Sequence, residues 1–238
     1  MFLSGLLAAS GRPDLFIQIE RALSAGRLER LLGGLLVTIQ LSLGAVILGV
    51  IIGSIIAAFR MSDWKVLRGI ASVYLAVIRG TPAVTQLLIV NTVIFGTFRG
   101  MGLWVGIVGL GINSGAYVAE IIRAGILSVD KGQTEAGLSL GLSRSRTMAF
   151  IVMPQAIKNI LPTLVNEFIV LIKETAIVGF IGVGDLTRVA AQIMSLTFNP
   201  TVLFISAGMY LVLIGIVTML LGLLERKLRS SDTRGEEA

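Results

Sequence analysis

Seven polar positions of this sequence sit in stretches that are otherwise apolar, and their types suit the recognition of a small charged molecule. Asn166, Glu167, Lys173 and Glu174 fall within "NEFIVLIKETAIVGFIGVGD" (166–185), Arg79 interrupts the run between Arg68 and Arg99, and Asn113 and Tyr117 recur with Glu120 at helical spacing. Carboxylates hold ammonium or guanidinium groups, and a guanidinium holds a carboxylate through two parallel hydrogen bonds. Binding is the chemistry these groups permit. The chain has no histidine and no cysteine, which removes imidazole acid–base work, thiolate metal sites and disulfides. No Ser–Lys pair at helical spacing offers a nucleophile with its base, so neither a catalytic set nor a metal site is expected.

On a helix, Asn166 lies almost over Lys173 and Glu167 over Glu174, because each pair is seven residues apart. The two stripes adjoin and form one polar sector about 100° wide. A central charge facing lipid costs at least about 2.5–3.5 kcal/mol, so the sector must face protein or a water-filled cavity. Two readings remain open. Lys173 can pair with Glu174, Glu167 or a carboxylate of another helix and fix packing, or these groups can line a substrate path for a zwitterion. Arg79 stands three residues before Pro82, whose ring frees backbone carbonyls near Ile78. Its guanidinium could satisfy those carbonyls, pair with Glu167 or Glu174, or take a substrate carboxylate. Glu120 is read as an ion-pair partner of Arg123, three residues on.

The elements that must position these residues follow from composition. The chain has 238 residues, 55% hydrophobic and only 14% charged, with a mean hydropathy of +0.90. Soluble domains carry about 25% charged residues, so an all-α membrane protein of about five spans is expected. Four apolar runs lie between Arg30 and Arg60, between Arg68 and Arg99, from Gly100 to Ile122, and after Pro200 up to Glu225; a fifth begins at Leu161–Pro162 and contains the polar sector. Small residues repeat every four positions, at Gly49/Gly53/Ala57 and Gly111/Gly115/Ala119, the spacing that lets helix backbones approach closely in lipid.

The net charge of +6 is scattered at the ends of apolar runs, which points to topology rather than nucleic acid. Arg60, Lys65, Arg68, Arg123, Lys131, Arg144, Arg146, Lys158 and the tail's Arg226, Lys227, Arg229 and Arg234 gather on one side. Arg12, Arg21, Arg27, Arg30, Arg99 and Arg188 gather on the other. Twelve against six predicts an outside N-terminus and an inside C-terminus. Residues 1–30 read as an amphipathic, interfacial segment on the outer side, residues 31–228 as the membrane domain, and residues 229–238 as a cytoplasmic tail.

The inside segment from Ser128 to Pro162 is too long for a mere connection and carries an amphipathic pattern of its own. Within it, Glu135-Ala136-Gly137, three residues, Gly141, nine residues, Ile151, one residue, Met153-Pro154 resembles the signature loop of permease subunits of binding-protein-dependent ABC importers. Every spacing is kept; Gly137 stands for alanine and Met153 for leucine. The surrounding "RGTP" (79–82), "AYVAEIIRAGI" (116–126), "LGLSRSRT" (140–147) and "NEFIVLIKETA" (166–176) look like the polar amino-acid subfamily, with its histidine, arginine and glutamine permeases.

This resemblance implies a type I ABC importer permease fold with a cytoplasmic coupling helix in the loop at about 128–160. It implies a second permease subunit, identical or paralogous, a cytoplasmic ABC ATPase dimer carrying ATP-Mg, an extracytoplasmic solute-binding protein, and residence in a bacterial inner or plasma membrane. Glu135, Ala136, Gly141, Ser143, Arg144, Arg146 and Pro154 become the coupling residues. Gly141 permits a sharp turn, and Glu135 could accept from the next helix's N-terminus or pair with an arginine of the ATPase. No Gly-x-x-x-x-Gly-Lys-Ser/Thr cradle occurs, so the chain itself is expected to bind no cofactor. Glu167, Glu174 and Glu120 would favour a basic L-amino acid as cargo. A stand-alone ion-coupled carrier is the rival reading; it explains buried carboxylates but not the structured loop.

Overall fold

The computed structural model describes residue 19 and residues 24–96 and 100–236, with side chains as far as Leu223; the amphipathic segment read over residues 1–30 lies largely outside the described residues. Among the described residues every regular element is helical. α1 (Ala25–Met61) is followed by α2 (Lys65–Gly80) and α3 (Ala83–Ile89), the latter continued by a π turn over Val90–Ile94. Then come α4 (Gly102–Leu127), α5 (Lys131–Ser139), α6 (Arg144–Thr147) with a π turn at Met148–Val152, and α7 (Met153–Glu174). A 3₁₀ segment (Thr175–Ile181), α8 (Leu186–Thr197) and α9 (Thr201–Glu236) complete the chain.

α1, α4 and α9 are each long and apolar enough to cross a bilayer, and α2–α3 makes a fourth if the bent pair is one span. α7 is the expected fifth; its 22 residues are long enough, while its polar side chains keep it out of the apolar set. The second run is therefore not the single continuous helix its hydropathy suggests. Thr81, preceding Pro82, is extended at φ −124° and ψ 147°, as the proline ring requires of its neighbour, and the two halves meet at 108°.

α4 is the central helix. Where it crosses α1, glycines replace side chains: a Cβ at Gly53 would lie 2.6 Å from Val118 Cγ1, and one at Gly49 3.0 Å from Ser114 Oγ. The reciprocal glycines on α4 are as crowded, Gly111 against Leu48 and Gly115 against Ile52. The four-residue repeats thus form a packing face, in line with the sequence pattern. A second core joins Leu41 and Ala45 of α1 to Leu87, Leu110, Leu171 and Val178. A third, of Leu31, Leu186, Ala190, Ile193 and Val202, seats α8 between α1 and α9.

α7 starts at Met153, with Pro154 in its first turn, where a missing N–H costs nothing. Pro162, read above as the start of the span, is inside the helix. Helical backbone consequently runs without a break from Arg144 through α6, the π turn and α7 to Glu174.

Candidate functional site

The C-terminal half of α4 supplies one wall of a cleft, α7 the facing wall, and the last turn of α2 its edge. Arg79, Tyr117, Glu120, Gly125, Asn159 and Glu167 are among the residues that enclose about 700 Å³, a volume ordinary for a small-molecule site. Gly125 is what allows the walls to converge, since a Cβ there would sit 2.3 Å from Ile160 Cγ1 of α7. At that convergence Asn159 of α7 donates to Ser128 Oγ, the cap of α4, at 2.9 Å.

Glu120 is the electrostatic centre of the cleft. Arg123 donates twice to its Oε2, from Nε at 3.1 Å and Nη2 at 3.0 Å, as the i, i+3 spacing on α4 predicted. Its other oxygen lies 3.9 Å from Arg79 Nη1. Two guanidiniums against one carboxylate leave Arg79, whose side chain is half exposed, free to take a second anion. The Arg79 guanidinium also lies over the Tyr117 ring, 6.0 Å from its centroid, at the outer limit of a cation–π contact. Glu167 faces the same space from α7. Its Oε1 accepts from Ser114 Oγ at 3.0 Å, and no cation lies within ion-pair distance of it among the described residues. The cleft therefore offers one under-used guanidinium and one unmatched carboxylate, the complement of a zwitterion or of a cationic amino acid.

Three of the seven path residues meet here: Arg79, Tyr117 and Glu167. Glu120, read first as an ion-pair partner of Arg123, joins them. Arg79 does not satisfy the carbonyls freed by Pro82, nor pair with Glu167 or Glu174; Gln86 serves the Ile78 carbonyl and Glu120 is the partner of Arg79. Asn113 is not on the cleft wall. It is 4% exposed and donates to Gln86 Oε1 at 3.0 Å. Asn166 and Lys173 lie off the cleft wall on α7, exposed along with Val170, and Lys173 makes no ion pair among the described residues. Glu174 ends α7 immediately before the 3₁₀ segment and is not among the residues that line the cleft.

Sequence reasoning passed over Gln86, Ser114, Ser128 and Asn159. The first could have been sought as the donor that a proline-freed carbonyl demands. The other three carried no signal beyond their polarity.

The inside loop is compact. Asp130 caps α5 by accepting from the Gly132 N–H at 2.6 Å. α5 closes with Gly141 at φ +81°, while Leu142 N–H donates to the Gly137 carbonyl and Gly141 N–H to that of Leu138, the paired bonds of a Schellman motif. Ser143 then caps α6, accepting from Arg146 N–H at 3.4 Å. That corrects the capping role considered for Glu135, which is exposed on α5 together with Ala136. Ser143, Arg144 and Arg146 are exposed as well, and Pro154 starts α7. The glycine at 137 is accounted for by packing: a Cβ there would meet Thr147 Cγ2 at 2.7 Å and Ile151 Cδ1 at 2.8 Å.

Residues 49–230 match the family described as binding-protein-dependent transport system inner membrane component. The chain belongs to that family. It is a permease, a transport subunit rather than an enzyme, and the reading as a stand-alone ion-coupled carrier falls. The permease is similar to the arginine transport system permease protein ArtQ of Bacillus subtilis (strain 168), 43% identical over 208 residues, which covers 85% of this chain and 94% of that one. It is similar as well to the putative glutamine transport system permease protein GlnP of Rickettsia felis, at 40% identity over 82% of this chain and 91% of the relative. Among solved structures, an amino acid ABC transporter crystallised with histidines superposes with a TM-score of 0.81, at 43% identity over 90% of the permease and 99% of that chain. A methionine ABC transporter in inward-facing conformations, 18% identical with a TM-score of 0.73, shares the type I importer fold over 86% of the permease and 99% of that chain.

Proposed function

We propose that this permease is the translocation subunit of an ATP-driven importer of polar L-amino acids, basic ones above all, and that the cleft between α4 and α7 is a station on the substrate path. One observation carries the reading: a half-exposed Arg79 and an unmatched Glu167 line one cavity of about 700 Å³, beside a helix that begins at the inside loop. Arg79 takes the α-carboxylate. Glu167, held by Ser114, takes the amino group or a cationic side chain. The names of the arginine and glutamine relatives, and the histidines in the solved amino acid transporter, agree with that cargo class.

The partners follow from what the chain lacks and what it presents. It has no phosphate-binding glycine loop, so ATP-Mg belongs to a cytoplasmic ATPase dimer. The exposed Glu135, Ser143, Arg144 and Arg146 form the surface that docks it, and a continuous helical run from Arg144 to Glu174 carries its motion past the cleft. A second permease subunit and an extracytoplasmic binding protein complete the importer, with the N-terminus outside and the C-terminus in the cytoplasm. In vesicles holding the complete importer, uptake of L-arginine requires internal ATP. Glu167→Gln lowers that uptake at least tenfold while sparing L-glutamine more. Uptake driven by a proton gradient alone, or an unchanged preference in the variant, would overturn the proposal.

A further inference from the structure

The break between α2 and α3 exposes backbone that the bilayer cannot solvate, and one buried side chain takes up the carbonyls on its inner side. In an unbroken helix the Ile78 carbonyl would accept from the residue four positions on. That residue is Pro82, which has no N–H. Gln86 Nε2 replaces it, donating to the Ile78 carbonyl at 2.7 Å and also lying 3.0 Å from the Thr81 carbonyl and 2.8 Å from Thr81 Oγ1. Thr81 Oγ1 in turn donates to the Val77 carbonyl at 2.8 Å. The amide of Gln86 cannot be reversed, because its oxygen would then face two carbonyl oxygens. That oxygen points the other way and accepts from Asn113 Nδ2 of α4 at 3.0 Å. Gln86 is 8% exposed and Asn113 4%, so water does not compete for either.

The clamp stands beside the cleft on both of the elements it joins. Ile78 adjoins Arg79 in sequence. Asn113 lies one helical turn before Tyr117 and about two before Glu120 on the same face of α4. Fixing the last turn of α2 to α4 therefore fixes the Arg79 guanidinium against Glu120 and the Tyr117 ring. Neither amide borders the cleft itself. We infer that Gln86 and Asn113 are positioning residues for substrate binding, which hold the broken helix so that Arg79 presents its guanidinium to the carboxylate of the cargo. The inference rests on the cleft being the substrate site.

Binding of radiolabelled L-arginine to the purified, fully assembled importer, with the binding protein omitted, tests it. Gln86→Leu removes the donors and raises Kd at least tenfold. Arg79→Ala raises Kd as well, and adding Gln86→Leu to Arg79→Ala raises it no more than twofold further, because the amide acts through the guanidinium. A second tenfold loss in the Arg79→Ala background, or a Gln86→Leu importer that binds normally, overturns the positioning role and leaves the cleft as the site. An Arg79→Ala importer with unchanged Kd overturns the cleft itself and the inference with it. Should Gln86→Leu fail to assemble, Asn113→Ala leaves the Ile78 carbonyl satisfied and loosens only the tie to α4. It raises Kd at least threefold in the native background and not in Arg79→Ala; an unchanged Kd in the native background overturns the role.

Discussion

Asp185 is fully buried, and both of its carboxylate oxygens serve the start of α8. Oδ2 accepts from Thr187 N–H at 2.9 Å and Oδ1 from Arg188 N–H at 3.1 Å, while the Tyr210 hydroxyl approaches to 3.4 Å. The next amide, Leu186 N–H, donates across to Thr38 Oγ1 of α1 at 3.2 Å. A carboxylate that satisfies two otherwise orphaned donors inside the protein is worth about 1–2 kcal/mol as a cap. Asp185→Ala should cost that amount and Asp185→Asn, which keeps one acceptor, about half; thermal unfolding of the purified permease checks the order. A variant with alanine as stable as the native chain would mean that α8 is held by its apolar contacts with Leu31 and Val202 alone. At this scale the sequence is informative about type and silent about partner. Glu120 with Arg123 could be read from their spacing on one helix, whereas the bonds of Ser114 to Glu167 and Asn113 to Gln86 join residues 53 and 27 positions apart, which no local pattern encodes.

At the scale of elements, glycine decides where helices meet. A Cβ added at Gly53 of α1 would meet Val118 Cβ at 2.7 Å and the Ala119 backbone nitrogen at 3.0 Å, and backbone cannot swing aside. Gly69 of α2 is a helix-interior glycine too, but a Cβ there meets nothing within 4 Å. Alanine raises helix propensity at either site by about 1 kcal/mol. Gly69→Ala should therefore stabilise the permease by up to that amount, while Gly53→Ala should destabilise it by about 1–3 kcal/mol through overpacking. Unfolding midpoints of the two variants, measured side by side, give the sign. Much of this architecture could be read in advance: the four-residue glycine repeats, the long apolar runs and the loop from Glu135 to Pro154. What could not be read follows from residues with two uses. Proline suits a helix start and a kink equally, so Pro162 resembled the beginning of the span, although Pro154 already fills the first turn of α7. Pro82 resembled a local fault, because hydropathy does not register direction and both halves of a run bent by 108° remain apolar.

At the scale of the whole molecule, one surface has no place against lipid. Asn166, Val170 and Lys173 are exposed and recur at intervals of four and three residues, so they form a single stripe along α7, and none of the three lines the cleft. Leaving Lys173 in hydrocarbon would cost at least about 2.5–3.5 kcal/mol, which the isolated chain does nothing to offset with an ion pair among the described residues. The exposed face of α9 that carries Phe204 and Leu211 has no such cost and suits lipid. The two faces can be told apart chemically, because the native chain contains no cysteine to give background. In the assembled importer, cysteine at Asn166 or Lys173 should react with a charged, membrane-impermeant thiol reagent at least tenfold faster than cysteine at Leu211, because only a water-filled path delivers such a reagent to mid-membrane depth. Equal slow rates at all three positions would place the α7 stripe inside a dry contact with the second subunit. Fast reaction at Leu211 would mean that α9, and not α7, borders the aqueous path.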